Sequence, residues 1–432
     1  MPSGGGLLQL VAQGRQDTYL TGNPQVSFFK LVYRRHTNFA IESMPIYFDG
    51  DANFGQRATC VIPRRGDLLG PVFLQIQLPA LTNQATGEPM PYVNSIGHAL
   101  IQEITLEVGE QEIDRQTGEW MEIWTQLSTP AGQLDALNNL VGRVDGYIPP
   151  DIYGPITLNI PLQFFFCKNP GTYLPLLALQ YHQVRITIKT RPLQELFYDP
   201  QLTTQDNCNI HVDAAVPMKM MMYGDFVFLD VEERRKFVSV EHEYLIDQVQ
   251  YTPLVSIPAG VSQFGVRMEF NHPIKELFWF VQRDIMRSRH EYFNFSSLSV
   301  LDAITSGLLR GDNMDSAVLQ LDGQDRFEER SATYFRLIQP YQRHTRTPVD
   351  QFIYAYSFAL RPEEAQPSGT LNASRIDSIV LQLRLNNNIL GTPAANCDGT
   401  AAKRGLSTTR VYGLNYNVFR IIDGFGGLLF KN

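Results

Sequence analysis

The sequence predicts an all-β chain folded as two consecutive antiparallel sandwiches with only a few short helices. Three observations carry this expectation. Apolar and polar residues alternate with a period of two in many short segments. Strand-forming aromatics, 26 Phe and 19 Tyr, accompany abundant turn formers, 32 Gly and 26 Pro. Each half of the chain also runs through the same order of hairpin, aromatic run, Pro/Gly turn and strand.

Leu74, Ile76 and Leu78 alternate with Gln75 and Gln77. Ile104, Leu106 and Val108 alternate with Thr105 and Glu107, and Val184, Ile186 and Ile188 with Arg185, Thr187 and Lys189. Each segment reads as a strand with one buried face. Helical signals are few. Leu134, Leu137, Leu140 and Val141 sit at helical spacing, and Asp230 with Glu233 has the form of a capping box.

The repeat divides the chain. Leu106–Gly109 turns into Glu110–Ile113 and ends at Asp114-Arg115, soon followed by Trp120. Leu319–Gly323 turns through Asp322-Gly323, a tight-turn dipeptide, and reaches Asp325-Arg326, followed by Tyr334-Phe335. Further on, Phe164–Phe166, Pro170-Gly171 and the strand Val184–Lys189 correspond to Tyr354–Phe358, Pro367-Ser368-Gly369 and the strand Ile379–Leu385. The crossover is expected between Ala214 and Asp230, where Val216-Pro217 and the apolar Met218–Met222 interrupt the pattern.

Composition narrows the function. In 432 residues, 44% are apolar and 19% charged, enough to bury a core and too apolar for disorder. The net charge is −8, which argues against a nucleic-acid binder needing a basic face. Arg34-Arg35, Arg64-Arg65 and Arg234-Arg235-Lys236 are short, separated clusters, and the last reads as a solvated helix face. Cys60, Cys167, Cys208 and Cys397 lie far apart, so reduced thiols are expected. No signal-peptide pattern, myristoylation glycine or membrane-length apolar run is visible, and a soluble protein made in the cytoplasm is expected.

The catalytic motifs fail one by one. His242-Glu243 and His290-Glu291 would need a second His four residues on to make a zinc-protease helix, and those positions hold Ile246 and Asn294. The eight His include no His-x-His pair of the kind that metal-binding jelly-roll enzymes place on strands. No phosphate-binding Gly-rich loop occurs, and Gly260–Phe264 misses the nucleophile-elbow pattern at its last position. Glu103, Glu107, Glu110, Glu112 and Asp114 read as the exposed side of a hairpin. The expectation is no catalytic, cofactor-binding or metal site. Arg65-Gly66-Asp67 and Arg310-Gly311-Asp312 spell an adhesion tripeptide but also ordinary turn chemistry, which is the favoured reading. Asn294 and Asn372 open N-glycosylation sequons. At the N-terminus, Gly4-Gly5-Gly6 precedes Leu7, Leu8, Leu10 and Val11, an arm that packs on its own subunit or docks on a partner.

Several long strings, taken together in order, resemble one family. They are Gly5–Ala12, Asp17–Gln25, Phe28–Ala40, Leu176–His182, Phe228-Leu229-Asp230, Glu233–Arg235, His242–Ile246, Gln366–Asp377, Tyr416–Ile421 and Gly424–Leu428. The family is the major capsid proteins of nucleocytoplasmic large DNA viruses. Departures from it fall in Leu78–Gly97, Ser296–Asp315 and Gly391–Arg410, expected to be contact-making or mobile loops outside the core. The resemblance implies a double jelly roll, two eight-stranded antiparallel sandwiches in series. The expected layout is an N-terminal arm at 1–24, the first jelly roll at 25–215, a linker at 216–236 and the second jelly roll at 237–432. It also implies a non-enzymatic subunit of an icosahedral virion shell, assembled in the host cytoplasm without cofactors. Expected partners are two further copies in a homotrimer, neighbouring capsomers, minor capsid proteins beneath the shell and an internal membrane layer, with no direct nucleic-acid binding. The aromatics Phe278-Trp279-Phe280 and Tyr292-Phe293 are expected to serve the trimer interface. The alternatives are a carbohydrate-binding or carbohydrate-active jelly roll, and a minor capsid or spike protein of the same lineage.

Overall fold

The computed structural model describes residues 5–50, 52–144, 150–199, 212–258, 260–386 and 407–431. Met1–Asn38 is a unit by itself, and Phe39–Asn432 is the second. The first unit contains a helix at Gly5–Val11 and a single turn at Thr18–Thr21.

The period-2 segments of the second unit become strands. In its first half these are β1 Phe39–Ile46, β2 Arg57–Val61, β3 Leu68–Leu78, β4 Ile101–Val108, β5 Gln111–Gln116, β6 Ile156–Pro161, β7 Val184–Thr190 and β8 Lys219–Leu229. They form two four-stranded antiparallel sheets, in the orders β1-β8-β3-β6 and β2-β7-β4-β5. The second half supplies β9 His242–Tyr251, β10 Gln263–Met268, β11 Pro273–Arg283, β12 Met314–Leu321, β13 Gln324–Asp325, β14 Tyr354–Ser357, β15 Ile379–Leu385 and β16 Ser407–Ile422. Their orders are β9-β16-β11-β14 and β10-β15-β12-β13. Each second-half number is its first-half counterpart plus eight. The two lobes are jelly rolls of one topology.

Alternation explains each core. Along β3, Leu74, Ile76 and Leu78 are buried while Gln77 is exposed, and along β15, Ile379, Leu381, Leu383 and Leu385 are buried while Arg384 is exposed. The inward rows of both sheets meet in each lobe, around Ile76, Leu106 and Ile186 in the first and around Val266, Leu319 and Leu381 in the second. The matching hairpins β4–β5 and β12–β13 turn on paired positive-φ residues, Gly109-Glu110 and Asp322-Gly323. That is the two-residue turn compatible with strand twist.

Four expectations need correction. Lys219–Leu229, placed in the linker, is the eighth strand of the first lobe, pairing Phe39 with Leu229 and Gln77 with Lys219. Met218 and Met222 are buried with exposed Lys219 between them, so the apolar stretch was strand pattern and no interruption. Residues 25–38, placed in the first jelly roll, belong with the N-terminal unit. Phe164–Phe166 is not the counterpart of β14; Phe165–Lys168 is a short helix, and β6 holds the equivalent position. Finally, Leu78–Gly97 is no peripheral loop: Leu81, Tyr92, Val93 and Ile96 are buried in the first core. Ser296–Asp315 is mixed, with Ser296 and Asn313 buried and Leu308 and Leu309 exposed. Most of Gly391–Arg410 lies outside the described residues, as do Cys208 and Cys397. Cys60 and Cys167 are free, and burial pushes both thiols up to about 12.

Candidate functional site

A double jelly roll offers two features as working parts, the junction that fixes its two lobes and the faces left for neighbours. The junction is built on α1, Gly118–Ser128, a helix that follows β5 and was not foreseen from the sequence. The Thr117 hydroxyl caps it, accepting from the Trp120 N–H at 3.2 Å, and also pairs with the Tyr412 hydroxyl at 2.7 Å across the junction. Trp120, Ile123, Trp124 and Leu127 follow at helical spacing and form one stripe. That stripe packs on Phe278, Phe280, Phe295, Tyr412 and Leu414 of the second lobe, making a third buried core. Trp120 stacks on Trp124 at 5.7 Å and meets the Phe278 ring edge-on at 5.3 Å. The pattern Thr-x-x-Trp-x-x-Ile-Trp-x-x-Leu was the available signal.

Phe278 and Phe280 therefore serve this internal junction, and Trp279 the second core. Tyr292 is buried against the first-lobe core. These four aromatics are therefore internal and do not form an outer face.

Buried charge ties the same region together. Glu122 accepts from Arg143 at 2.6 Å and from His98 at 2.7 Å. Burial works against its carboxylate, but Arg143 and His98 outweigh it and hold the group down at about 2. Glu119 on α1 likewise stays below the usual range despite burial, because Arg191 lies at 2.9 Å and Arg410, from β16, at 3.7 Å. Asp114 has the opposite fate. Burial dominates and raises it to about 6, although it accepts from the Val249 N–H of the second lobe at 3.0 Å. His344, directly after the short helix Gln339–Arg343 of the second lobe, is clamped between Glu276 at 2.7 Å and Glu363 at 2.9 Å. Burial alone would lower it, but the two carboxylates raise it to about 9.

A second tie comes from β16 and the hairpin it forms with β17, Phe425–Leu428. Phe419 and Ile421 of β16 are buried in the first-lobe core, with Phe419 at 5.9 Å from the Phe165 ring. The hairpin tip docks on the first lobe. Tyr181 N–H donates to the Gly424 carbonyl at 3.1 Å, His182 Nδ1 pairs with the Gly426 carbonyl at 2.8 Å, and the Tyr181 and Phe425 rings stack at 5.0 Å. A Cβ on Gly426 would sit 2.4 Å from Leu179 Cδ2, so any larger residue would force the buried Leu179 side chain to shift.

The candidate site residues separate on burial. Asn294 is 8% exposed, and its amide donates to Glu291 and to the Leu298 carbonyl at 3.0 Å, which leaves no room for a glycan on the folded chain. Asn372 lies exposed on a short edge strand pairing with β11. Both adhesion tripeptides turn their aspartates inward. Asp67 accepts from the Leu229 N–H and from Arg234, and Asp312 from Tyr354 and Arg336. The two His-Glu pairs remain apart from any second imidazole cluster, and among the described residues no group of three or more His, Cys, Asp and Glu is placed to hold a metal ion. No helix among them is long and apolar enough to cross a membrane.

What remains outside is apolar in places. Tyr47, Val216, Leu309, Tyr341 and Leu360 are all well exposed, and α2, Val231–Ser239, joins the lobes without burying any residue.

Comparison with known proteins matches this architecture. Residues 27–230 match a family described as major capsid protein N-terminus, and residues 233–427 match the large eukaryotic DNA virus major capsid protein family. The chain is 38% identical to the major capsid protein of Phaeocystis pouchetii virus, over 99% of this chain and 100% of that one. It is 36% identical to the major capsid protein of Paramecium bursaria Chlorella virus 1, with the same coverage. Among solved structures, PBCV-1 VP54 superposes with a TM-score of 0.77 at 31% identity, covering 94% of this chain and 100% of that chain. The Faustovirus major capsid protein shares the fold, with a TM-score of 0.70 at 12% identity.

Proposed function

Because this chain belongs to the major capsid proteins of large eukaryotic DNA viruses and is a structural subunit of an icosahedral shell, we propose that its working unit is a homotrimeric capsomer. One observation carries this reading. Two jelly rolls of the same strand order, offset by eight, are locked side by side through a third core. Three such pairs around a closed threefold axis place six similar lobes in a ring, which tiles a flat face. Light scattering on the eluting protein should report three times the 49.0 kDa chain mass; a folded monomer or dimer at micromolar concentration overturns the proposal.

The same reading extends outward. Neighbouring capsomers contact the exposed lobe faces, and minor capsid proteins and an internal membrane layer lie beneath. With a net charge of −8 the protein does not grip the genome directly. Its role is mechanical and uses no cofactor or reaction chemistry, and it is made in the host cytoplasm. Of the two sequons, Asn372 is the one that offers its amide to a modifying enzyme. Peptide mass mapping of virion protein tests this, and a glycan on Asn294 instead would refute it.

A further inference from the structure

Met1–Asn38 has no core of its own. Among its described residues all twelve large apolar side chains are exposed, with Phe28 94% and Phe29 101% accessible. The aromatic members alone, Tyr19, Phe28, Phe29 and Tyr33, present roughly 600–1,000 Å² at about 150–250 Å² each. A monomer's largest apolar patch is about 300–600 Å². Segments below about 40 residues ordinarily need a disulfide, a metal or association to become stable. This one has no cysteine and a single histidine, His36, which leaves association.

Charge points to the partner. The segment holds Arg15, Lys30, Arg34 and Arg35 against Asp17 alone, a net +3, so the rest of the chain carries −11 of the total −8. Stoichiometry points the same way. In a shell built of this chain, the one component present in equal number with every such segment is another copy of the chain.

We propose that Phe28–Tyr33 of one copy dock on the acidic second unit of a neighbouring copy within the capsomer, with Arg34 and Arg35 reinforcing the contact. The proposal rests on the capsomer reading above. Apolar side chains supply the affinity, and the opposite charges select this partner over a neutral surface.

The test uses full-length chain in two differently tagged versions, co-expressed, one carrying a photoreactive phenylalanine analogue at position 29. Cross-links from position 29 to residues 39–432 of the other version are expected. Cross-links confined to the same copy overturn the proposal, as does capture of phosphatidylserine vesicles or of another virion protein in place of a copy. A second variant, Phe28→Ser with Phe29→Ser, changes no member of the three cores. It should leave the near-ultraviolet circular dichroism of the folded chain unchanged and raise the trimer dissociation constant at least about tenfold; an undiminished trimer counts against the idea. A trimer with same-copy cross-links sinks this proposal alone, whereas a folded monomer sinks the capsomer reading with it.

Discussion

The two lobes place a helical segment at the same point in their topology, after β5 in one and shortly after β13 in the other, and use it in opposite ways. The first lobe's segment, α1, is buried along nearly its whole length and turns Trp120 and Trp124 toward its neighbour. The second lobe's segment, Tyr334–Ile338 continuing as Gln339–Arg343, leaves Ile338 and Tyr341 exposed. The two meet only at the end of the second, where His344 lies edge-on to Trp124 at 6.4 Å and the Arg346 N–H donates to the Leu127 carbonyl at 2.9 Å. One position in a common fold has thus become inter-lobe glue in one lobe, while in the other it packs Phe335 into its own lobe's core and leaves Tyr341 outside. The difference lies in backbone and side chains together: an α-helix with an apolar stripe of four residues against a π-helical turn and a short α-helix with Arg336, Tyr341 and Arg343.

Trp120→Ala should break the comparison most severely. It empties a site between Trp124, Phe278 and Tyr412 and should cost about 3–5 kcal/mol. Denaturant unfolding should change from one transition toward two as the lobes uncouple. A single unshifted transition would remove α1 from its role as the joint.

The foot of the second segment gives the next largest effect. A histidine that ordinarily titrates near 6.5 and here holds its proton to about 9 stabilises the fold fully below pH 6.5. That contribution, about 3 kcal/mol, disappears as pH rises through 9. The thermal midpoint of wild type should fall across this window. His344→Gln, starting from a lower midpoint because Glu276 loses its cation, should show a flatter profile there.

Asp114, at the entrance to α1, should act with the same sign in a lower pH window. Its folded value near 6 exceeds the ordinary 3.8, so its protonated form favours the fold and stability drains away as pH rises from about 4 to 6. Asp114→Asn should flatten that stretch of the profile; an unchanged slope would show that the carboxyl stays ionised at the junction. Tyr341→Ser should have the smallest effect on the isolated subunit, within about 0.5 kcal/mol. If exposure of that ring serves shell contacts, the loss should appear only when assembly yield is measured.

Much of the fold was legible because strands carry their own signal. The rows Leu74-Ile76-Leu78 and Ile379-Leu381-Leu383 announce a buried face without reference to anything distant. Asp322-Gly323 likewise announces its turn, whereas Asp230 accepts from the Val231 N–H at the start of α2 without forming the expected capping box with Glu233. The junction was less legible for a physical reason. Whether Phe278 faces a lobe core, the other lobe or another chain depends on a partner about 160 residues away, and local pattern is silent on that. Glu276, His344 and Glu363 are likewise ordinary surface types until the fold buries them together. Lys219–Leu229 was misread because its methionines resemble an interruption when taken without the alternating exposure of Lys219. The helix α1 was readable in its spacing and was missed among so many strands.

The return of β16 to the first lobe has a consequence for synthesis. Phe419 and Ile421 complete a core most of whose other members, Ile246 and Tyr292 excepted, were translated some two hundred or more residues earlier. Until that late strand leaves the ribosome, the nascent first lobe lacks part of its own interior and the docking tip that covers Leu179 and Tyr181. Chains cut short before Ser407 would carry an unfinished wall in the half that otherwise looks complete. The fold therefore checks that translation has run through β16 before a subunit has a surface fit to enter a shell.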